Sequence, residues 1–372
     1  MKIYNKSEWK KVKLGDVCEI ITGNTPLKKV KEYWNKDEVP FITPPELKYE
    51  GINYITPNIF VSQMGASQGR IIPKNSICVC CIGSLGKLGI LKEEGITNQQ
   101  INSLVLKNKN IDLLYLYFYL KTIKNNLEAI ASSTTVKIIN KSSFEKIEIK
   151  LPDIKIQKKI SKKLELLENN IDFRKRQLNY LKGLTKSLFI TFNKNGIEKR
   201  LDDIADISMG QSPLSQSYNI DKKGLPFYQG KTEFGDIYIK EPIIYCNSPI
   251  KIVEKNDILM SVRAPVGDVN IATQKSCIGR GLASIRAKKV DYLYLFYLLK
   301  ERKIKIEKMG VGSTFKAINK NNISSLQIPI IEMSKQNRIK KYLLLIEKLS
   351  FIISSIIFKI SEILEKRGVE SN

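Results

Sequence analysis

The sequence predicts an α+β protein made by tandem repetition: two similar mixed α/β globular domains, each followed by a long helix, with the two helices packed together as a coiled coil that separates the domains. Three observations carry this. The two halves of the chain match each other at an offset near 180 residues; the segments after residues 150 and 330 repeat apolar residues every seven positions; and positive charge divides evenly between the matched halves.

The internal matches run the length of the chain. LGDVCEIITGNTP (Leu14 to Pro26) aligns with LDDIADISMGQSP (Leu201 to Pro213) at an offset of 187, and VPF (Val39 to Phe41) with LPF (Leu225 to Phe227). PKNSICVCCIGSLGK (Pro73 to Lys87) aligns with EKNDILMSVRAPVGD (Glu254 to Asp268) at 181. LYLYFYLK (Leu114 to Lys121) aligns with LYLFYLLK (Leu293 to Lys300), and STTVKIINK (Ser133 to Lys141) with GSTFKAINK (Gly312 to Lys320), both at 179. An offset that falls in one direction is what a few short loop differences produce; chance similarity would scatter.

Each unit has the same order of expected elements. A short amphipathic segment (Leu14 to Ile21; Leu201 to Ile207) leads to a Gly-x-Ser/Thr-Pro turn (Gly23 to Pro26; Gly210 to Pro213), whose glycine allows positive φ and whose proline fixes the exit. Short β-like runs follow between polar, Gly/Pro-rich stretches, among them IIPKNSICVCCIG and KIVEKNDILMSV. An aromatic-rich helix (Leu113 to Lys124; Tyr292 to Lys305) and an Ile-rich strand (Phe144 to Leu151; Ile323 to Ile328) complete the unit. The boundaries implied are 1–150 and 194–329 for the globular domains, 151–193 and 330–372 for the helices.

In the second helix Ile339, Ile346, Ile353 and Ile360 are spaced by sevens, with Leu343, Leu349, Ile356, Ile357 and Leu364 between them. The first helix copies this phase, with Ile160, Leu167, Leu181 and Leu188 on one row and Leu164, Ile171 and Leu178 beside it. That is the coiled-coil period. Arg174 falls on the apolar row, where a polar residue fixes register more often than it adds stability. A helix from Gln157 to Phe192 would be about 54 Å long.

Lys+Arg 62 against Asp+Glu 37 gives a net charge of +25, which points to a polyanionic partner. Residues 1–150 and 194–329 each hold 22 basic and 14 acidic residues (+8); 151–193 hold 10 and 4 (+6), and 330–372 hold 8 and 5 (+3). Histidine is absent, which excludes Ser-His-Asp and Cys-His chemistry and any His-containing zinc site. The six cysteines form no spaced framework, and the expected state is a reduced thiol in a cytoplasmic protein without signal peptide or membrane span.

A tandem of two basic domains, each followed by a heptad helix, resembles the specificity subunit of type I restriction-modification systems, and the resemblance covers essentially the whole chain. It is carried by the paired Gly-x-Ser/Thr-Pro turns, by SVRAPVGD and IGRGLASI (Ser261 to Asp268; Ile278 to Ile285), by TNQQINSL (Thr97 to Leu104), and by the helix starts LPDIKIQKKI and SKQNRI (Leu151 to Ile160; Ser334 to Ile339). The resemblance implies that each globular unit is a target-recognition domain reading one half of a split DNA sequence in double-stranded DNA. It implies further that the helices pair antiparallel as a ruler between half-sites. Two methyltransferase subunits would dock on the helices and restriction/translocase subunits would complete the complex. The chain itself would carry no catalytic site and no metal; S-adenosylmethionine, ATP and magnesium would belong to the partner subunits. The first unit departs from the second: Arg263 and Arg280 find Ile82 and either Gln99 or Gln100 near their equivalents.

Candidate DNA contacts are loop residues able to bind phosphates or base edges. In the first unit they are Asn24, Thr25, Lys28, Lys29, Gln63, Gln68, Arg70, Asn98, Gln99 and Gln100; in the second, Gln211, Ser212, Gln216, Gln229, Lys231, Arg263 and Arg280. Arg263 and Arg280 are equally readable as internal braces. Lys158, Lys159, Lys162 and Lys163 form a basic helix start that suits either spacer phosphates or a solvated face. The alternatives from other classes are a methyltransferase or nuclease fused to recognition domains, or a non-specific nucleic-acid-binding coiled-coil scaffold. TPPE (Thr43 to Glu46) lacks the amide and the aromatic of an adenine-methyltransferase motif, GSLGKLG (Gly83 to Gly89) has the wrong spacing for a phosphate loop, and CVCC (Cys78 to Cys81) reads as a buried strand.

Overall fold

The computed structural model describes residues 9–131, 136–310 and 317–369, with side chains to Leu364. The matched segments that begin at Ser133 and Gly312 therefore lie partly outside the described residues. In chain order the first half forms β1 (Lys10–Lys13), α1 (Leu14–Val17), β2 (Cys18–Thr22), β3 (Val39–Ile42), β4 (Phe60–Val61), α2 (Gln63–Ala66), β5 (Ile77–Cys80), β6 (Leu88–Ile90), β7 (Ile96–Thr97), β8 (Ile101–Leu106), α3 (Leu113–Thr122), α4 (Lys124–Ile130), α5 (Lys141–Glu145), β9 (Glu148–Leu151) and α6 (Ile154–Asn193). The second half forms β10 (Ile197–Arg200), α7 (Leu201–Ile204), β11 (Ala205–Met209), β12 (Tyr218–Asn219), β13 (Leu225–Tyr228), β14 (Ile244–Cys246), β15 (Ile252–Val253), β16 (Ile258–Ser261), β17 (Val269–Ile271), β18 (Ser276–Ile278), β19 (Leu282–Ala287), α8 (Tyr292–Glu301), α9 (Lys303–Lys308), α10 (Lys320–Ser324), β20 (Gln327–Ile330) and α11 (Met333–Val369).

The repeat extends to topology. The sheet ordered β2-β8-β5-β6 has its counterpart in β11-β19-β16-β17, and the entry–exit pair β1-β9 in β10-β20, all antiparallel. Beside each lies a second sheet, three-stranded in unit 1 and five-stranded in unit 2, in which one strand pairs one neighbour parallel and one antiparallel: β3 with β7 and β4, β13 with β18 and β14. Asn75 and Asn256 both take positive φ, as do Gly86 and Gly267, so the turns around β5 and β16 match in backbone conformation as well.

Local chemistry explains the element boundaries. Asp112 and Asp291 cap α3 and α8 by accepting from backbone N–H groups of the first turn. Asn140 and Asn319 do the same for α5 and α10. Those caps correct the expectation of strands from Phe144 and Ile323: both residues sit on one-turn helices, and the strands begin only at Glu148 and Gln327. The amphipathic segments starting at Leu14 and Leu201 likewise split into a helical turn and a strand, and the aromatic helices end at Thr122 and Glu301 before short second helices. The core of each unit packs its aromatic helix on the inner face of the four-stranded sheet: Tyr117, Phe118 and Leu120 over Ile77, Val79 and Leu104 in one, Tyr294, Phe296 and Leu299 over Ile258, Met260 and Ile285 in the other.

By its contacts the chain divides into two compact units, Met1–Gln177 with Ile353–Asn372, and Leu178–Ile352. The first part of α6 thus groups with the last part of α11, and the last part of α6 with the first part of α11. At about 60 Å, α6 is longer at both ends than the Gln157 to Phe192 span and lies within segment 151–193. Ile171, Ile339, Leu343, Ile346 and Ile353 are buried, while Ile160, Leu164, Leu167, Leu178, Leu181, Leu188 and Ile360 are half-buried. Ile160 and Leu164 join the core of unit 1 and Ile339 and Leu343 that of unit 2, so the first turns of each helix seal a globular domain before the heptad continues. Leu349 does not lie on the inner rows; it is exposed. Arg174 is half-buried, donates to the Gln177 side chain at 2.9 Å and leaves its Nε without a partner.

Candidate nucleic-acid interface

Part of the set expected to meet DNA gathers on one ridge in each unit, built where β2 and β11 end: Asn24, Thr25, Gln68, Arg70 and Asn98 to Gln100 in unit 1, Gln211, Ser212, Gln229 and Arg280 in unit 2. In unit 1 the turn after β2 packs against the turn between β7 and β8. A Cβ on Gly23 would stand 2.2 Å from the Thr97 carbonyl oxygen; on Gly210 it would stand 2.2 Å from the Gly279 carbonyl oxygen. Neither glycine has positive φ, which corrects the reason for its presence: the two strands' turns approach too closely for any side chain.

Hydrogen bonds then tie the unit 1 candidates together. Asn24 Nδ2 donates to the Gln68 carbonyl at 2.7 Å, Thr25 Oγ1 to Gln99 Oε1 at 2.7 Å, and an Arg70 guanidinium nitrogen to the Thr22 carbonyl at 2.5 Å. Asn98 is buried. Its Oδ1 accepts from the Gln100 N–H and its Nδ2 donates to Gln100 Oε1, so it shapes the turn and presents no free edge. Gln99 is exposed and Gln100 half-buried. Lys28, Lys29 and Gln63 are exposed on the segments that follow, with the Gln63 N–H donating to Glu38 at 2.7 Å.

Unit 2 repeats the arrangement with different side chains. The Gln211 N–H donates to the Ile278 carbonyl at 3.1 Å, the Gly281 N–H to the Gln229 carbonyl at 3.1 Å, and the Arg280 N–H to Ser212 Oγ at 3.2 Å, which brings Gln211, Ser212, Gln229 and Arg280 together. Gln216 is exposed in the next turn. The side chains of Arg263 and Arg280 are exposed, which removes the reading of internal braces; the Arg263 backbone bridges to Ala317, as the Ile82 backbone does to Ile138 in unit 1. Lys231 is engaged with Asp268 at 2.7 Å, and Lys303 reaches the same carboxylate at 2.5 Å. Burial alone would raise the Asp268 carboxyl, but the two ammonium groups hold it below the ordinary range.

The residues that resemble catalytic or metal-binding motifs in the sequence take structural places. Cys78, Cys80 and Cys81 lie buried on and just after β5, and burial pushes the Cys78 and Cys81 thiols up to about 12, far from a thiolate. Glu46 of the TPPE turn is buried as the partner of the Thr43 N–H and hydroxyl. Lys158, Lys159, Lys162 and Lys163 are exposed along α6. No helix among the described residues is long and apolar enough to cross a membrane.

Two polar residues that sequence reasoning passed over hold each long helix to its domain. Gln157 accepts from the Asp112 N–H at 2.9 Å and donates to the Asn110 and Pro152 carbonyls; Gln336 accepts from the Asp291 N–H at 2.9 Å and donates to the Ile331 carbonyl. Both are almost wholly buried. The signal was present, since Gln157 lies seven residues before Leu164 on the inner row.

Comparison with known proteins agrees with this architecture. The family model described as the type I restriction modification DNA specificity domain matches twice, over residues 6–182 and 194–360. The putative type I restriction enzyme MjaX specificity subunit of Methanocaldococcus jannaschii is 35% identical over 381 aligned positions, covering 92% of this chain and 87% of that one. The HindI specificity subunit of Haemophilus influenzae is 35% identical over 44% of this chain and 37% of its own. Among solved structures, the type I restriction-modification S subunit from M. genitalium superposes with a TM-score of 0.64 at 17% identity, over 98% of this chain and 97% of that one, which supports the fold. With both halves matched and the relative from M. jannaschii aligned nearly end to end, the chain belongs to the family of type I restriction-modification specificity subunits.

Proposed function

We propose that this chain is the DNA-recognition subunit of a type I restriction-modification complex and that its two ridges read the two halves of a gapped target. The observation that carries the reading is the coincidence of the two family matches with two units that share the same four-stranded sheet and entry–exit strand pair, each presenting a polar ridge at the end of the matched strand. Segments 1–150 and 194–329 serve as readers, 151–193 and 330–372 as the spacer that sets the gap. Exposed Gln99, Gln211, Gln229 and Gln68 supply base-edge donors and acceptors, and Lys28, Lys29, Arg70, Arg263 and Arg280 the phosphate contacts. The half-sites differ because the ridges differ.

The apolar outer face of the helices is the docking surface for two methyltransferase subunits, with restriction/translocase subunits completing the assembly. Chemistry resides in those partners, which carry S-adenosylmethionine, ATP and magnesium; the absence of histidine suits a subunit that binds and positions. Methylation mapping in cells that express the chain with its partner methyltransferase tests the reading. The expected result is methylated adenine on a gapped, non-palindromic motif. An ungapped palindrome, or cleavage or methylation by the purified chain alone, overturns it.

A further inference from the structure

The two ridge turns share a feature that base reading does not use. Leu27 and Leu214 occupy one position of the repeat, directly after the buried Pro26 and Pro213, and are 59% and 71% exposed. Their backbones are pinned. The Leu27 carbonyl accepts from the Val30 N–H at 3.1 Å and from Trp34 Nε1 at 3.3 Å; the Leu214 carbonyl accepts from the Ser217 N–H at 2.9 Å and from Ser217 Oγ at 2.6 Å. Upstream, the close approach at Gly23 and Gly210 fixes the entry to each turn. Each leucine is an apolar tip on a rigid mount.

A single exposed leucine needs no explanation. Two at one repeat position, each held outward by anchors before and after it, are a different matter, because beyond the shared Gly-x-Ser/Thr-Pro frame the exposed polar positions around them have diverged. Asn24 answers to Gln211, Lys28 to Ser215 and Lys29 to Gln216, while leucine is retained. A side chain that reads a base would be expected to differ between readers of unlike half-sites. One that stays the same fits a role common to both. What duplex DNA offers an apolar tip irrespective of sequence is the base stack, which aliphatic side chains enter as wedges, unstacking a step and bending the duplex. The thymine methyl group is the sequence-dependent alternative.

We propose that Leu27 and Leu214 are matched wedges that enter the base stack of their respective half-sites and open one base step in each. The proposal rests on the reading that the ridges face DNA. It also ties the ridges to the partner's chemistry, because a base that a methylating partner acts on must leave the stack, and a neighbouring step already opened lowers the cost of turning it out.

The test uses the full chain assembled with its partner methyltransferase and duplexes carrying the mapped motif, with a fluorescent adenine analogue whose emission rises on unstacking placed at successive positions. Emission is expected to rise at one step in each half. Leu214→Ala removes the rise in the half read by unit 2 and Leu27→Ala in the other, each with about a tenfold loss of affinity for the paired duplex, and under about threefold when a mismatch already opens that step. Leu214→Met, which keeps an apolar tip, retains the signal. Flat emission throughout the wild-type complex overturns the wedge. So does an affinity loss of the same size when uracil replaces thymine in a duplex that never unstacks, the signature of a methyl contact. Failure of the underlying reading looks different, for the wild-type assembly would then bind the gapped motif no better than a scrambled duplex, and the proposal would fall with it.

Discussion

In unit 1 the ammonium of Lys121 on α3 reaches Glu168 on α6 at 2.6 Å, with both side chains largely buried. In unit 2 the residues at the same repeat positions, Lys300 and Glu347, turn apart: Lys300 donates to the Asp236 carbonyl at 2.8 Å, and Glu347 faces Tyr238 with one carboxylate oxygen buried and unpartnered. Elsewhere the exchange runs the other way. Asp257 in unit 2 holds Arg286 through two hydrogen bonds at 2.8 and 2.7 Å and accepts from Ser284, where unit 1 has Ser76, Val105 and Ser103. By contrast, Gln157 and Gln336 do the same work in both units, as do the hydroxyls of Tyr115 and Tyr294, which donate to the carbonyls of Lys150 and Pro329. Side chains that satisfy backbone groups at the helix–sheet junction are shared by the two units. Ion pairs between side chains are interchangeable with other ways of filling the same space.

Replacing the braces puts that distinction under the greatest strain. Gln157→Leu leaves the Asp112 N–H and two carbonyls without partners and is expected to destabilise unit 1 by about 3 kcal/mol, while Gln336→Leu strands one donor and one carbonyl and costs about 2 kcal/mol. Urea unfolding, with hydrogen exchange to locate the loss, measures both. Equal and negligible effects would remove the braces from the shared skeleton.

The lysines come next in size. Lys121→Met strands a largely buried Glu168 carboxylate and should cost about 2 kcal/mol, whereas Lys300→Met removes a bond to a backbone carbonyl from an exposed side chain and should cost under about 1 kcal/mol. The same residue at the same repeat position thus carries different weight, and thermal unfolding of the two variants reads the difference directly.

Glu347 sharpens the comparison through pH. Burial raises its carboxyl above the ordinary range, against the lowering effect of the Tyr238 hydroxyl. A folded-state pKa above the unfolded one means that the native state binds the extra proton, so this group's contribution is favourable in acid and is lost as pH rises through the folded value. Glu347→Gln should therefore stabilise unit 2 at neutral pH, with the advantage disappearing below the ordinary carboxylate range. Unfolding midpoints across that window measure it, and an advantage that persists in acid would mean that the unpaired oxygen is not the cause.

Much of this architecture is legible in the residues alone. Repeated spacing carries the two units and the heptads, because a period survives substitution: Ile339, Ile346 and Ile353 are buried where sevens place them. The ridge is legible as a pair of Gly-x-Ser/Thr-Pro turns, but not the role of its glycines, since close approach and positive φ leave the same letter in the sequence. Phe144 and Ile323 mislead because a buried apolar residue on one helical turn and one on a strand differ only through the preceding Asn cap. Gln157 is hidden by its polarity on a row otherwise read as apolar.

The smallest effect on the chain's own stability should come from the outer face of the long helices, where the two units diverge again. In unit 2, Tyr342, Leu345, Leu349 and Ile352 are all exposed along α11 at three- and four-residue steps. The matching positions on α6 in unit 1 are Lys163, Leu166, Asn170 and Phe173, so only two of the four are apolar. Leu345→Lys and Leu166→Lys should each leave unfolding within about 0.5 kcal/mol of the parent chain, because neither side chain is packed. If the face receives a partner subunit, the two changes part company when binding is measured. A charge at Leu345 interrupts a continuous stripe and buries a lysine among apolar groups; a charge at Leu166 adds to a face already broken by Lys163 and Asn170. Sedimentation of the chain with the proposed methyltransferase partner should show Leu345→Lys releasing more bound partner than Leu166→Lys. Equal release would mean that the partner reads the helix backbone and its spacing, with the apolar stripe of unit 2 serving no docking role.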